Sequence, residues 1–212
     1  MTFAELQTEV TRRLNESSTA AAYWTVQDVK DALNEGYAEL SDASEWYERS
    51  ATISKASQRT YYDLRTNLSD TFLAPRRAFN VETNKWLDPI NVRKLDFHTF
   101  RQWEINPGEP QMMFMRGLWW LGLYPRPNAS TGTVTFYYTA MPPDLSADGD
   151  TPTFPQEYHL GIVLYALYEL KSQERESKLA MKYFGEYEIY EKGLTKYVLQ
   201  RQGLDRSRAM GV

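Results

Sequence analysis

The stretch DLSADGDTPTFPQEYH, residues 144–159, concentrates oxygen-bearing side chains in a pattern that could hold a cation. Asp144, Ser146, Asp148, Gly149 and Asp150 fall at positions 1, 3, 5, 6 and 7 of a calcium-binding EF-hand loop. That loop completes its coordination shell with a bidentate glutamate at position 12, and position 12 here is Pro155. The nearest carboxylate, Glu157, comes two residues late. The preceding TAMPPD is strand-like and proline-rich where an EF-hand requires an entering helix. The spacing therefore predicts a polar turn that starts a helix, with adventitious divalent binding by Asp148 and Asp150 as its residual chemistry.

Other reactive residue types are sparse. There are 2 histidines, His98 and His159, with no partner at an H-x-x-x-H spacing. Each reads as a half-exposed helix residue in preference to a general base. There is no cysteine, which excludes a disulfide framework, a thiolate zinc site and a cysteine nucleophile. No G-x-S-x-G, P-loop or G-x-G-x-x-G motif occurs. Carboxylates are many, but no pair is marked out for glycoside hydrolysis. The residues nominate no catalytic, cofactor or metal site, although counting alone does not exclude a carboxylate pair.

The elements that position these residues follow from periodicity. Thr2 and Glu5 have the spacing of a capping box, and Phe3, Leu6, Val10 and Leu14 follow at helical intervals. Thr25 caps a second helix, with Trp24 and Val29 placed as a hydrophobic staple. In that helix Val29, Leu33, Tyr37 and Leu40 share one face, away from Asp28, Asp31, Glu35 and Glu39. From residue 51 the texture changes to strands: ATISKA, TYYDL, RRAFNV, KWLDPI, QMMFMR, LWWLGLY and TVTFYYTAM. Hairpins are predicted at Thr83-Asn84 and at Arg116-Gly117. A short helix, Leu95 to Trp103, is predicted with Asp96 as its cap. Loop 65–74 is left open.

After Pro155 the helical signal returns, with Leu160, Val163, Leu164, Leu167 and Leu170 on one face. Residues 173–176 form either a polar corner or a continuous exposed turn. A further helix carries Leu179, Tyr183, Tyr187, Tyr190, Leu194 and Tyr197, and Gly203 stops it. The predicted fold class is α+β. N- and C-terminal helices pack together as a bundle, a central, mostly antiparallel sheet block is inserted, and a flexible C-terminal tail follows. The predicted boundaries are 1–50 and 153–200 for the helical core, 51–152 for the sheet block and 201–212 for the tail.

Net charge is −4 over 212 residues but is uneven. Residues 1–50 hold 4 basic and 10 acidic groups, residues 51–140 hold 11 and 7, and residues 141–212 hold 9 and 11. This is not the footprint of a strong duplex binder. Arg76-Arg77, and Arg93-Lys94 with Arg101, lie near Phe79, Trp86 and Trp103 in the chain. They read as a solvated face with cation–π contacts ahead of a single-strand nucleic-acid site. Aromatics are 14% of the chain, with 15 Tyr, which tilts the reading toward an interaction protein. The stripe Tyr183, Tyr187, Tyr190 and Tyr197 suits a subunit interface or an internal seam. The basic end of the chain suits compensation of a helix dipole or docking on an acidic partner. MTFAELQTEVTRRL lacks the apolar segment of a secretory signal, and no apolar run approaches membrane-spanning length. The expectation is a soluble protein made in a reducing cytoplasm.

Three stretches resemble the head-to-tail connector, or adaptor, proteins of tailed bacteriophages. They are WTVQDVKDALNEGYAEL, FLAPRRAFNVETNKWLDPI and FYYTAMPPDLSADGDTPTFPQEYHLGIVLYALYELKSQERESKLAMKYFGEYEIY. The resemblance covers most of the chain; one departure is that Leu64 is followed by Arg65 where relatives often carry Y-x-L-P. It implies a structural virion protein at the head–tail interface: a twelve-fold homo-oligomeric ring beneath the portal protein, bridging it to a tail nozzle or tail-completion protein. Genomic DNA would pass through without specific binding, no membrane would be involved, and no catalysis is implied. The tail would reach the portal, with Arg201, Arg206 and Arg208 as the docking residues. The alternatives from other classes are a virion-associated cell-wall hydrolase and a single-stranded nucleic-acid-binding protein.

Overall fold

Helix α1 (Phe3–Leu14) begins where the capping box places it. The Thr2 amide donates to the Glu5 carboxylate at 2.9 Å, and the Glu5 amide donates to Thr2 Oγ1 at 3.3 Å. Helix α2 (Val26–Ser44) repeats the device with Thr25 and Asp28 and ends at Glu45, whose φ of 50° is left-handed. In this computed structural model, residues 1–14, 23–68, 71–98 and 103–201 are described, with only the backbone of His98. The chain divides into two compact units, Met1–Trp46 with Pro142–Val212, and Tyr47–Met141. Its class is α+β, with six α-helices and a mixed sheet among the described residues.

The first unit is helical. After Pro155 a 3-10 turn (Gln156–Tyr158) leads into α5 (His159–Gln173). Left-handed Arg175, φ 63°, then makes a corner before α6 (Ser177–Arg201). Of the two readings of residues 173–176, the polar corner is the one found. Helix α5 packs against α1, α2 and α6. Its sequence shows one apolar face, yet Ile162 and Ala166 are buried as fully as Val163, Leu164, Leu167 and Leu170, while Leu160 is half-buried. A helix with neighbours on several sides hides most of its circumference. Each fully buried Ile, Val or Leu among them contributes roughly 1.5–3 kcal/mol on burial. The approach of α2 requires Gly36, because a Cβ there would lie 2.9 Å from the Ile162 carbonyl oxygen. Trp24, the expected staple residue, packs on this core and donates its Nε1–H to Glu174 at 2.7 Å.

The second unit is built from seven strands and a small accessory pair. They are β1 (Glu48–Ser54), β2 (Tyr61–Asp63), β3 (Phe72–Asn80), β4 (Lys85–Pro89), β5 (Pro107–Gly108), β6 (Met112–Arg116), β7 (Trp120–Tyr124), β8 (Arg126–Pro127) and β9 (Thr133–Ala140). The main sheet runs β1-β9-β3-β4-β6-β7-β2. It is antiparallel except between β4 and β6, and β5 with β8 forms a separate parallel pair. Strand β9 alternates as a half-buried strand should: Val134, Phe136 and Tyr138 point inward. It pairs on one side with β1 and on the other with β3.

Both predicted hairpins form, with longer tips than expected: Asn80 pairs with Lys85, so the β3–β4 tip is residues 81–84. Arg116 pairs with Trp120, so the β6–β7 tip is Gly117–Trp119, and Gly117 takes the left-handed φ of 63°. The predicted helix near Leu95–Trp103 is shifted. Helix α4 covers Val92–His98, and Asn91 caps it by accepting from the Arg93 amide at 2.9 Å. Asp96 lies inside this helix and accepts from Trp103 Nε1 at 2.8 Å, because Trp103 belongs to a separate 3-10 turn, Trp103–Ile105. In the open stretch 65–74, Asp63 caps the short helix α3 (Leu64–Asn67), and β3 begins at Phe72. Residues 202–212, including Gly203 and most of the predicted tail, lie outside the described residues.

Lys55 is the unexpected feature of this unit. Its side chain is 3% exposed, and its ammonium meets Glu82 at 2.9 Å, Glu109, and the Asn80 amide oxygen at 3.4 Å. Asn80 in turn donates to Glu109 at 2.7 Å, and the Thr133 amide donates to Glu82 at 2.7 Å. Burial alone would lower the Lys55 pKa, but hydrogen bonds and charge from Glu109 and Glu82 outweigh it and hold it above its ordinary value.

Two stability measurements check these contacts. Gly36→Val is expected to destabilise the protein to urea by about 2–3 kcal/mol, since the new side chain meets backbone that cannot retreat without separating α2 from α5. Lys55→Met is expected to cost about 2 kcal/mol. That is below the ~3–5 kcal/mol of a fully buried pair, because both carboxylates keep more than a third of their side chains in water. A neutral result for either variant would contradict the packing described.

Candidate functional site

The loop that resembles an EF-hand turns its oxygens to its own backbone. The Asp150 carboxylate accepts from the Ser146 and Ala147 amides, each at 2.8 Å, and these bonds hold its pKa below the ordinary value. The Asp148 and Asp150 carbonyls accept from the Ala4 and Phe3 amides at 3.1 and 2.7 Å. They satisfy donors that the first turn of α1 leaves unpaired. Asn34 and Leu145 exchange two further hydrogen bonds, at 3.1 and 2.9 Å, tying the stretch to α2. The loop is thus a cap for α1. Among the described residues no group of three or more His, Asp and Glu is placed to hold a metal ion.

His159 is expected to be half-exposed and is instead buried, at 3% exposure, because Met1 and Phe154 close over it where α1 packs on α5. Its Nε2 lies 2.9 Å from the Phe154 carbonyl oxygen, which can only accept, so Nε2 carries the proton. Nδ1 is then the acceptor for the Met1 amino group at 2.9 Å. Both nitrogens are occupied by the neutral ring. Burial pushes the pKa down, and the positive amino terminus adds to the effect. This is a structural histidine. The side chain of His98 lies outside the described residues.

The tyrosine stripe lies along the seam between α6 and α5. Tyr187 is 2% exposed, packs edge-on to Tyr165 at 5.2 Å and belongs to the helical core. Burial raises its hydroxyl pKa. Tyr183, Tyr190 and Tyr197 are half-buried against the same core. Tyr190 lies over Gly161, and Tyr197 lies 5.9 Å from Tyr158. Arg201, the last described residue, is exposed and sits 5.2 Å from the Tyr197 ring. Arg206 and Arg208 lie outside the described residues.

Among the described residues, Arg77, Phe79, Trp86 and Tyr137 come together, while Trp103 is buried in a separate cluster. The Arg77 guanidinium lies 4.5 Å from the Trp86 ring and 5.0 Å from Tyr137, with Glu48 at 3.8 Å. Arg76 donates to Thr139 Oγ1 at 3.1 Å. Trp103 is buried with Leu95 and Phe114 and offers no face for a base to stack on. Arg93 and Lys94 are exposed on α4, and Arg101 lies outside the described residues. The geometry favours the cation–π reading over nucleic-acid stacking.

Sequence reasoning missed the outer face of α6. Met181 and Ile189 are largely exposed there, and Leu199 is partly so. The signal was available as a second helical stripe, but the tyrosines on the core side masked it. The Lys55 cluster was also missed, because its members are far apart in the chain and come together only through strand pairing.

Surfaces, caps and internal seams make up these arrangements among the described residues. The chain belongs to the SU10 adaptor protein family, whose model matches residues 1–211. This is a family of phage head-to-tail adaptors. A search of curated proteins returns no match. Membership implies a component of the virion that acts through other head or tail proteins. No helix among the described residues is long and apolar enough to cross a membrane.

The His159 geometry carries a pH dependence. A histidine whose folded pKa is lowered leaves stability in full above the unfolded value of about 6.5. That stability is lost as the pH falls from there through the lowered folded value. The melting temperature of the native protein should therefore drop between pH ~7 and ~5. His159→Gln, which has no proton to gain, should flatten that slope; an unchanged slope would remove the assignment.

Proposed function

We propose that the protein is a structural connector that docks as a ring beneath the portal protein and bridges it to a tail nozzle or tail-completion protein. The ring is twelve-fold, and the genomic DNA passes through it during ejection without specific binding. The observation that carries this reading is the family match over residues 1–211, which takes in both units and nearly the whole terminal segment. The net charge of −4 supports it, since a conduit that attracted polyanionic DNA would hold its cargo. The connector acts without catalysis.

The segment 201–212 makes the portal contact. Helix α6 is 25 residues long, about 37 Å, against 15 residues for α5. Its last residue, Arg201, is exposed. Beyond it the sequence is polar and basic, with Arg206 and Arg208, and has too little apolar content to fold alone. Order gained on docking and charge pairing of Arg201, Arg206 and Arg208 with an acidic portal surface supply the contact. Of the tyrosine stripe, the half-buried Tyr183, Tyr190 and Tyr197 border a subunit contact, and Tyr187 supports that helix from inside.

Deleting residues 201–212 is expected to leave the melting temperature of the protein within a few degrees while abolishing its attachment to portal-containing heads. Attachment at the undiminished level would remove the tail from the portal contact.

A further inference from the structure

The helical unit presents two outward faces of opposite character. On α6, Ala180, Tyr187, Leu194 and Val198 point into the core. At 100° per residue, Lys178, Met181, Lys182, Ile189, Lys192, Lys196 and Leu199 fall within an arc of about 100° on the far side. All seven are exposed; Met181 is 62%, Ile189 70% and Leu199 40% accessible. Gly185 lies in the same arc, and a Cβ there would meet nothing within 4 Å. Half-buried Glu188 at the edge pairs with exposed Lys192 at 2.8 Å. The face is apolar, flat at its centre and basic, and runs about 27 Å from Met181 to Leu199.

On α2 the outward arc is acidic. Asp28, Asp31, Glu35, Glu39 and Asp42 fall within about 80° of one another, opposite Val29, Leu33 and Leu40. All five are exposed. Asp28 is engaged in capping α2, and Asp31 accepts from Gln27 at 2.7 Å. No basic residue falls in this arc. Glu169 of α5 adds a further negative charge beside Glu35, whose pKa is raised by burial and then by Glu169 and Glu39. The acids extend about 21 Å along the helix. Half-buried Ala38 and exposed Ala43 are the small residues beside them, and would let another helix come close.

We propose that the outward face of α6 in one copy of this chain packs on the outward face of α2 in the next copy. Charge complementarity selects the occupant: four lysines meet five carboxylates over matching lengths, with Met181, Ile189 and Leu199 covered at the centre. The same unit carries both faces, so each copy receives a neighbour on α2 and gives one on α6. Such a heterologous contact does not stop at two copies; it propagates until it closes. The contact rests on the ring reading above and names the helices that make it.

The absence of native cysteine makes the test direct. Two single-cysteine proteins, Ile189→Cys and Glu35→Cys, are distinguished by size tags, mixed and oxidised. The experiment is done in solution at high concentration and low salt, and again on protein bound to portal-containing heads. The mixed disulfide is expected at roughly tenfold over either homodimer, and the chain carrying both cysteines should give a ladder beyond dimer. Mixed-dimer yield should fall roughly tenfold when Lys178, Lys182, Lys192 and Lys196 are all changed to Glu, since like charges then face each other. It should return when the partner carries Asp31→Lys, Glu35→Cys, Glu39→Lys and Asp42→Lys. Homodimers in place of mixed dimers would overturn the proposal by showing a two-fold contact. So would mixed disulfide in neither setting. Retention of duplex DNA by the native protein, lost in the lysine variant and without mixed disulfide, would assign the face to nucleic acid instead. Protein that attaches to heads and fails to cross-link sinks this contact and leaves the connector reading standing; protein that never attaches sinks the connector reading itself.

Discussion

The burial of α5 on most of its circumference is the constraint on which the helical unit depends. A helix that buries Ile162, Val163, Leu164, Ala166, Leu167 and Leu170 must receive neighbours on several sides. Their backbones come near enough that Gly36 cannot carry a side chain without meeting the Ile162 carbonyl. Packing at that density tolerates little displacement. It follows that α1, α2 and α6 each have one face committed to α5 and the opposite face free. The polar stretch before α5 serves the same constraint. Its carbonyls cap α1 and its asparagine-bound backbone holds α2, so the start of α5 is covered and burial holds the His159 pKa down.

The sheet unit solves a different problem. Strand β9 is paired along both edges and supplies alternate inward residues, so it organises the pairing of β1 and β3. Lys55 then sits where the chain leaves β1, with its ammonium between Glu82 of the β3–β4 turn and Glu109. Buried ion pairs are weak net sources of stability, although removing the lysine alone strands both carboxylates. What the cluster adds is geometry. Three separate loops must be in register before the charge is neutralised, and misaligned strands would leave a lysine buried alone.

Much of this was legible in the chain, for identifiable reasons. The capping boxes at Thr2 and Thr25 are local, and their partners lie three residues away, so helix starts were placed to the residue. The seven strand runs alternate or are rich in β-branched and aromatic residues, and all seven appear in the main sheet. The errors fall where a local signal had a competitor. Asp96 looks like a cap, but Asn91 comes first and the Trp103 indole claims the carboxylate. Leu160 through Leu170 reads as one face, because periodicity cannot report how many neighbours a helix has. His159 reads as exposed from its position at a helix start, and only tertiary cover from Met1 and Phe154 reverses that. The tyrosine stripe left core and interface open. Tyr187 is core, while its neighbours a turn away are half-wet.

A protein that works by contact must keep the residues that fold it apart from those that meet its partners, and helices do this with their circumference. On α2 the residues Val29, Leu33 and Leu40 face α5 while five carboxylates face outward. These carboxylates repel one another along the stripe, and Glu35 also feels Glu169. Like charges at helical spacing cost a few tenths of a kcal/mol per pair. On α6 the large exposure of Ile189 and Met181 leaves apolar surface in water. Neither feature helps the isolated unit fold: one is repulsive, the other unburied. An opposite charge and an apolar cover arriving together would remove both costs, and the inferred contact between copies is one arrangement in which the two faces would supply these to each other.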